Sequence, residues 1–255
     1  MRDTYSFPAG EMEANVNTWK KAFRSKESDP VSGMDYRIGG SMEKGDLSQV
    51  TRNLDDVMAL HGKELSEFLD VLCGDRSENK EKVLVLDVGG GIGVVAEELR
   101  QNPGVKVVTT GLSRRSAQKA RLAYNNNPDN NFKLPGKLSD DDLKWNSILQ
   151  LRRPNPEFNL IIDTYGEHWH DVCDNGNLLD FKKLRVYLEI IINKLKPGGL
   201  ASILSMIFMS EFVRHSYLGL LDELRQKHPD IEIDLSERKE NPSVLTIKKL
   251  PSAKL

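Results

Sequence analysis

The chain has little cysteine, no long apolar run and no excess of one charge. Its 255 residues include two cysteines, Cys73 and Cys173, which are too few for a disulfide framework or a zinc site. No apolar stretch approaches the roughly 20 residues that a membrane-spanning helix needs. The polar start, MRDTYSFPAGE, does not have the apolar core of an export signal. We therefore expect a cytoplasmic protein with no membrane partner.

The charge balance argues against nucleic-acid binding. There are 36 basic and 38 acidic side chains, which give a formal net charge of -2. Binding to a phosphate backbone is driven largely by basic groups that release its counterions. One local cluster, Arg114, Arg115, Lys119 and Arg121, is typical of the solvated face of a helix. We expect no nucleic-acid partner.

Residues 1–80 carry apolar side chains at helical spacing and no competing strand pattern. The spacing predicts helices through two sets of residues: Met12, Val16, Trp19 and Phe23, and then Val50, Leu54, Val57, His61, Leu65, Phe68 and Leu72. Between the two sets lies a glycine-rich loop that contains Tyr36 and Arg37. We predict that residues 1–80 form a helical N-terminal cap or lid.

From residue 81 onward, strand and helix patterns alternate, which predicts a mostly parallel sheet covered on both faces. The predicted strands begin with the apolar run Val83–Leu86 and continue with Val105–Thr110, Phe158–Asp163 and Leu200–Phe208. Phe132–Leu134 is a further candidate strand. The chain closes on a hairpin-like pair, with Ile231, Ile233 and Leu235 alternating before Ser243–Leu250. Residues 81–255 are thus predicted to be one doubly wound α/β domain.

A glycine cluster, Asp87–Gly93 or DVGGGIG, follows the first predicted strand. Without Cβ atoms, such a turn can adopt positive φ and let its backbone approach a ligand closely. Dinucleotide enzymes use G-x-G-x-x-G and an acidic residue about 20 positions later. Here Val94 replaces the third glycine, and Thr109-Thr110-Gly111 contains no carboxylate. An NAD-dependent oxidoreductase is therefore the less favoured interpretation.

The same cluster resembles the acid-x-G-x-G-x-G signature of class I S-adenosylmethionine-dependent methyltransferases. The segment LKPGGLASI, Leu195–Ile203, is similar to the family's segment before its fifth strand. The terminal strand pair resembles the family's antiparallel sixth and seventh strands. The resemblance covers residues 82–250 and implies a Rossmann-like domain with a doubly wound, mostly parallel seven-stranded sheet. It also implies S-adenosyl-L-methionine as the cofactor.

The resemblance further implies which residues bind that cofactor. The candidates are Asp87, Gly89, Gly90, Gly91, Gly93, Gly111, Leu112, Ser113, Asp163, Tyr165 and Arg37. Asp87 would hold the amino end of the methionine moiety, and Arg37 could meet its carboxylate as a charge-assisted donor. Family members usually carry Asp or Glu at the end of the second strand to bind the ribose hydroxyls. This chain has Gly111 at that position.

The methyl acceptor is expected to lie beside the segment Asp163–Asp171, because ligands of parallel sheets bind beyond the carboxyl ends of the strands. Methyl transfer is an in-line displacement in which alignment is the main requirement, and a base is needed only for a protonated nucleophile. His168, and with less support His170, are the candidate bases. These two histidines have no defined third ligand, so we predict no metal.

Together these features predict a methyltransferase that uses S-adenosyl-L-methionine and acts on a small-molecule or peptide-like acceptor, including a protein. The absence of a ribose-binding acid keeps one alternative open, a non-catalytic methyltransferase-like binding module. The other alternative is the NAD-dependent oxidoreductase.

Overall fold

A computed structural model describes the chain between residues 53 and 252, with gaps. The described residues are 53–74, 82–110, 118, 121–122, 124–126, 132–135, 148, 158–164, 173–174, 178–179, 181–205, 211–236 and 243–252. In chain order the elements are α1 (Leu54–His61), α2 (Lys63–Gly74), β1 (Val83–Val88), α3 (Val94–Arg100), β2 (Val105–Thr109), β3 (Phe158–Asp163), β4 (Cys173–Asp174), β5 (Leu178–Leu179), α4 (Phe181–Lys194), β6 (Leu195–Ser205), α5 (Glu211–Lys227), β7 (Ile231–Ser236) and β8 (Ser243–Lys249).

Six of these strands form the main sheet, in the order β2-β1-β3-β6-β8-β7. The strands β2, β1, β3 and β6 are parallel to one another, whereas β8 is antiparallel to both β6 and β7. This arrangement confirms the mixed α/β sheet and its C-terminal antiparallel pair. The seventh strand stays a prediction.

Over the same described residues, no helix has both the length and the apolar character needed to cross a membrane.

Each face of the sheet is covered by its own set of helices. On one face, α4 and α5 pack against β1, β3 and β6 through residues such as Phe158, Leu188 and Leu221. On the other face, Val57 of α1 and Leu65 of α2 pack with alternate residues of β1, β2 and β3. The inner strands are buried on both sides because helices cover both faces, which is why they appear in the sequence as continuous apolar runs.

The spacing of apolar residues between Val50 and Leu72 predicted one helix, but its described part, residues 53–72, folds as two helices. Asn53 caps α1 by accepting a hydrogen bond from the Asp56 backbone at 2.8 Å, and the Asp56 side chain accepts in return from the Asn53 backbone. Gly62 ends α1 with a φ of 89°, a conformation that favours glycine. The following helix, α2, continues across the same face of the sheet. The boundary of the predicted cap at residue 80 stays a prediction.

The prediction of a strand at Phe132–Leu134 is wrong. The Leu134 backbone N–H donates to Asn125 Oδ1, and Asn125 Nδ2 donates to the Leu134 carbonyl, both at 2.9 Å. These two bonds use the backbone groups that a strand would offer to a neighbouring strand. The side chain of Leu134 is nevertheless buried, so the apolar pattern reflected burial and not a strand.

The strand β6 begins at Leu195, whereas the sequence pattern predicted a start at Leu200. Leu195 pairs with Phe158 and Leu200 pairs with Leu160, so the residues between them on β6 form a bulge. A Cβ atom at Gly199 would lie 2.8 Å from the Lys196 carbonyl oxygen and 3.1 Å from backbone oxygens of β3. The bulge therefore depends on glycine at this position.

Candidate functional site

The strand order changes direction between β1 and β3, and the space beyond the carboxyl ends of these two strands is called the crevice below. After β1 the chain continues to β2 on one side, and it later returns to β3 on the other side. In open parallel sheets, ligands bind beyond the carboxyl ends of the strands at such a switch in direction. The loop Asp87–Gly93 begins at the end of β1, and Thr164 directly follows β3. These two segments therefore border the expected ligand site.

Glycine is required at several positions of the loop after β1. Gly89, Gly91 and Gly93 have φ values of 68°, 58° and 81°, which strain any residue with a Cβ atom. The loop is attached to the end of β2 through Thr110. Its Oγ1 accepts a hydrogen bond from the Gly89 N–H at 3.2 Å, and its carbonyl oxygen accepts one from the Gly90 N–H at 3.1 Å.

The carboxylate of Asp87 lies directly beside Gly90. A Cβ atom at Gly90 would be 2.1 Å from Asp87 Oδ2 and 2.6 Å from the methyl carbon of Thr109. Asp87 is only 3% exposed, and Thr109 pairs with it in register on β2. Any side chain at position 90 would displace the carboxylate. The segment Gly89–Gly91 thus presents bare backbone next to a buried acid.

Arg121 supports the far end of the loop. It is 2% exposed, so the expectation that it lies on a solvated helix face is wrong. Its Nε donates to the Ile92 carbonyl at 2.7 Å, and its Nη2 donates to Glu97 Oε1 at 3.3 Å. The guanidinium can be buried because carbonyl and carboxylate oxygens satisfy it. The sequence did not show this role, because both partners are more than 20 positions away.

Thr110 follows β2, next to the position where the family usually carries a ribose-binding acid. It is fully buried, and its two oxygens accept the bonds from the glycine loop. Thr110 is therefore part of the support of the loop.

Asp163, the last residue of β3, points to the opposite face of the sheet from Asp87. Its Oδ2 accepts a hydrogen bond of 2.6 Å from the Tyr187 hydroxyl of α4, and both residues are fully buried. Asp87 instead continues the alternation of Val83 and Val85, which pack towards α1, α2 and α3. The two predicted acids are thus on different faces, and a contact of Asp163 with cofactor stays a prediction.

A histidine outside the sequence motifs lies beside the crevice. His61, the last residue of α1, is 3% exposed. Its Nδ1 forms a hydrogen bond of 2.7 Å with Ser202 Oγ of β6, and its Nε2 forms one of 2.7 Å with Thr164 Oγ1. The signal in the sequence was a histidine within an apolar helical stripe, since a buried ring of this kind needs polar partners.

The same helix is attached to α3 at its other end. The Leu54 backbone N–H donates to Glu98 Oε2 at 2.5 Å. Burial raises the pKa of Glu98 above its ordinary value, the Leu54 bond opposes this, and the nearby charges of Asp55 and Asp56 raise it further. The helix α1 is thus held by polar bonds at both ends.

The remaining candidates lie outside the described residues. They are Arg37, Gly111, Leu112, Ser113, Tyr165, His168 and His170. Their roles stay predictions. In the part of the chain that the structure does describe, no three His, Cys, Asp or Glu side chains are grouped as metal ligands.

The chain is similar to known proteins in structure but not in sequence. No family model matches the chain, and no curated protein matches it. It is similar to the solved structure of the plantazolicin methyltransferase BpumL in complex with a pentazolic desmethylPZN analog and SAH, with 10% identity, 94% of this chain and 98% of that chain covered, and a TM-score of 0.49.

Two further solved structures are similar in the same way. A TehB-like SAM-dependent methyltransferase from Corynebacterium glutamicum is 13% identical over 83% of this chain and 96% of that chain, with a TM-score of 0.45. The N-methyltransferase NodS from Bradyrhizobium japonicum is 15% identical over 74% and 95%, with a TM-score of 0.41. At such low identity, the function has to be inferred from the residues of the site.

Proposed function

We propose that the chain is an S-adenosyl-L-methionine-dependent methyltransferase. The observation that carries this proposal is the glycine loop at the crevice between β1 and β3. Gly89, Gly91 and Gly93 have positive φ there, and the buried carboxylate of Asp87 lies next to the loop. The antiparallel pairing of β7 with β8 agrees with the C-terminal strand pair that the sequence resemblance implied.

The residues of the loop fit the chemistry of this cofactor. S-Adenosylmethionine carries a cationic amino group, a sulfonium and a nucleoside. An acid at Asp87 suits the amino group, and the three consecutive glycines Gly89–Gly91 suit close approach to the remainder. The cofactor would supply an electrophilic methyl group, and the chain would supply alignment and exclusion of water.

A dinucleotide fits these residues less well. The third glycine of the dinucleotide motif allows close packing of helix on strand. Its position is occupied by Val94, the first residue of α3, which is 1% exposed and fills that space with its side chain. The sequence Thr109-Thr110-Gly111 also has no acid for a ribose.

For the acceptor we propose a small molecule or a peptide-like substrate, selected by residues 1–80. The net charge of -2 supports this over a nucleic acid. His168, or else His170, would remove a proton from the acceptor atom if that atom is protonated. Arg37, Gly111, Leu112, Ser113, Asp163 and Tyr165 remain proposed cofactor contacts by resemblance.

The test is titration calorimetry with S-adenosylmethionine, S-adenosylhomocysteine and NADH. We expect both sulfur ligands to bind and NADH not to bind. Asp87→Asn should weaken binding of the sulfur ligands roughly 10- to 100-fold, because it removes a charge-assisted bond. Asp234→Asn is the matched control, since Asp234 is an exposed acid on β7 at the far edge of the sheet. Failure of both sulfur ligands to bind at millimolar concentration would refute the proposal.

The non-catalytic module is tested separately. This alternative stands because no acid follows β2 to bind a ribose, and both oxygens of Thr110 already accept hydrogen bonds from the glycine loop. The protein is incubated with methyl-labelled S-adenosylmethionine and with pools of small molecules and peptides. Transfer of label that is lost in His168→Ala or Asp87→Asn supports the enzyme. Cofactor binding without transfer to any pool favours the module.

A further inference from the structure

We propose that His61 is a positioning residue for the methyl-transfer side of the site, acting through Thr164. This inference rests on the proposed function. Neither residue belongs to the glycine loop, and they come from parts of the chain that are 103 positions apart.

The first support is the geometry around His61. A neutral imidazole has one donor and one acceptor nitrogen, and both nitrogens of His61 are within 2.7 Å of a hydroxyl oxygen, one from Ser202 and one from Thr164. Two bonds on opposite sides of the ring, together with 97% burial, fix its orientation. The Thr164 hydroxyl is consequently held in one direction relative to the end of β3.

The second support is the position of Thr164 relative to Asp87. Asp87 pairs in register with Ile162 on the adjacent strand β3, and Thr164 is two residues further along the chain. With about 3.3 Å per residue and about 4.8 Å between strands, the two Cα atoms are roughly 8 Å apart. Alternation of side chains directs Asp87 and Thr164 to the same face, and the bond to His61 of α1 agrees with this.

The third support is that Thr164 remains accessible. His61 and Ser202 are 3% and 2% exposed, whereas Thr164 is only half-buried. A ligand that meets Asp87 with its amino end and extends across the crevice would bring its sulfonium to the Thr164 side. The hydroxyl oxygen is a favourable neighbour for a methyl group that carries positive charge. S-Adenosylhomocysteine has neither this methyl group nor the charge.

The inference predicts a selective effect on the two ligands. Thr164→Val should raise the Kd of S-adenosylmethionine about two- to fivefold, because one C–H···O contact is lost, and should leave the Kd of S-adenosylhomocysteine unchanged. His61→Ala should change the two Kd values in the same way. Thr246→Val is the matched control, because Thr246 is a buried threonine on β8 that pairs with Ser202 in register. It should leave both Kd values unchanged.

Two amide variants of His61 distinguish a role in orienting the Thr164 hydroxyl from a role in attaching α1 to the sheet. The polar end of a glutamine side chain reaches the position of Nε2, and that of asparagine reaches only the position of Nδ1. His61→Gln should therefore keep the Thr164 bond and a nearly normal ratio of the two Kd values. His61→Asn should behave like His61→Ala. Equal effects of the two amides would overturn the inference.

The outcomes are separable from failure of the proposed function. If wild-type protein binds neither ligand, the proposed function fails. If it binds both and Thr164→Val leaves their Kd ratio unchanged, the proposed function stands and the inference about His61 fails. Each variant is first checked by urea unfolding, and because Thr164 is half-buried, its variant keeps the test valid if His61→Ala does not fold.

Discussion

The guanidinium of Arg121 occupies the space that a side chain at Gly93 would need. Its Nη2 atom lies 2.7 Å from the position of a Cβ atom at Gly93, and its Nε donates to the carbonyl of the preceding residue, Ile92. Gly93 has a φ of 81° and precedes α3. The end of the glycine loop is therefore fixed both by its own backbone conformation and by a buried cation behind it.

Gly93→Ala is expected to destabilise the protein for two reasons. The positive φ costs about 1–2 kcal/mol in a residue with a Cβ atom, and displacement of Arg121 adds roughly 1–3 kcal/mol as overpacking. The free energy of unfolding in urea measures the sum. Binding of S-adenosylhomocysteine should weaken as well, because the loop cannot keep its conformation.

Gly198→Ala is the control for this prediction. Gly198 has a φ of 76°, similar to that of Gly93, but a Cβ atom there would meet nothing within 4 Å. Gly198→Ala should therefore lose only the free energy of unfolding that the positive φ costs. Equal destabilisation by the two variants would contradict the role of Arg121.

Tyr187→Phe is expected to reduce the free energy of unfolding by about 1–3 kcal/mol, because a buried carboxyl oxygen of Asp163 loses its bond from the Tyr187 hydroxyl. Its hydroxyl donates to Asp163 at 2.6 Å, and both residues are fully buried. Tyr217→Phe offers a comparison, since Tyr217 is 2% exposed and its hydroxyl accepts from Ser205 at 3.2 Å. That bond joins two neutral groups and should account for about 0.5–1.5 kcal/mol. A larger loss in Tyr217→Phe than in Tyr187→Phe would show that the Asp163 bond is weak.

The strands could be predicted well where both of their faces are buried. The sequence pattern predicted β3 with the bounds that the structure has, Phe158–Asp163, because a doubly covered strand is a continuous apolar run. The failure at Phe132–Leu134 has the opposite cause. Burial of Leu134 is visible in the sequence, but the Asn125 side chain that replaces a strand partner is not.

The candidate site could be predicted only in part. Asp87 and the glycines form a contiguous motif, and the spacing of its residues is enough to predict a ligand-binding loop from the sequence alone. His61 and Arg121 contact partners that are distant in the sequence, and their local spacing does not encode those partners. His61, for example, meets Ser202 across 141 positions of sequence.

Gly219→Ala is expected to stabilise the protein by about 0.5–1 kcal/mol, because glycine within a helix costs conformational entropy relative to alanine. Gly219 lies within α5 and is exposed, and a Cβ atom there would meet nothing within 4 Å. Gly74, the last residue of α2, has the same open surroundings, and Gly74→Ala should gain less because helix ends fray. Urea unfolding compares the two. A loss of stability in Gly219→Ala would mean that this face of α5 contacts another part of the chain.

Glu98→Gln tests the attachment of α1 to α3 through its dependence on pH. Burial is the main cause that raises the pKa of Glu98, and the charges of Asp55 and Asp56 add to it against the opposing Leu54 bond. An acid whose pKa is higher in the folded state binds more protons there than in the unfolded chain. The contribution of Glu98 to stability is therefore present below its unfolded pKa and is lost as the pH rises through the folded pKa.

Glutamine keeps an oxygen that can accept from the Leu54 N–H but does not ionise. The free energy of unfolding of Glu98→Gln, minus that of the wild type, should therefore become more positive as the pH rises from about 4 towards 7. Urea unfolding curves at several pH values measure this difference. A difference that falls over the same range would mean that the ionised carboxylate stabilises the start of α1, and that its bond to Leu54 outweighs the cost of burial.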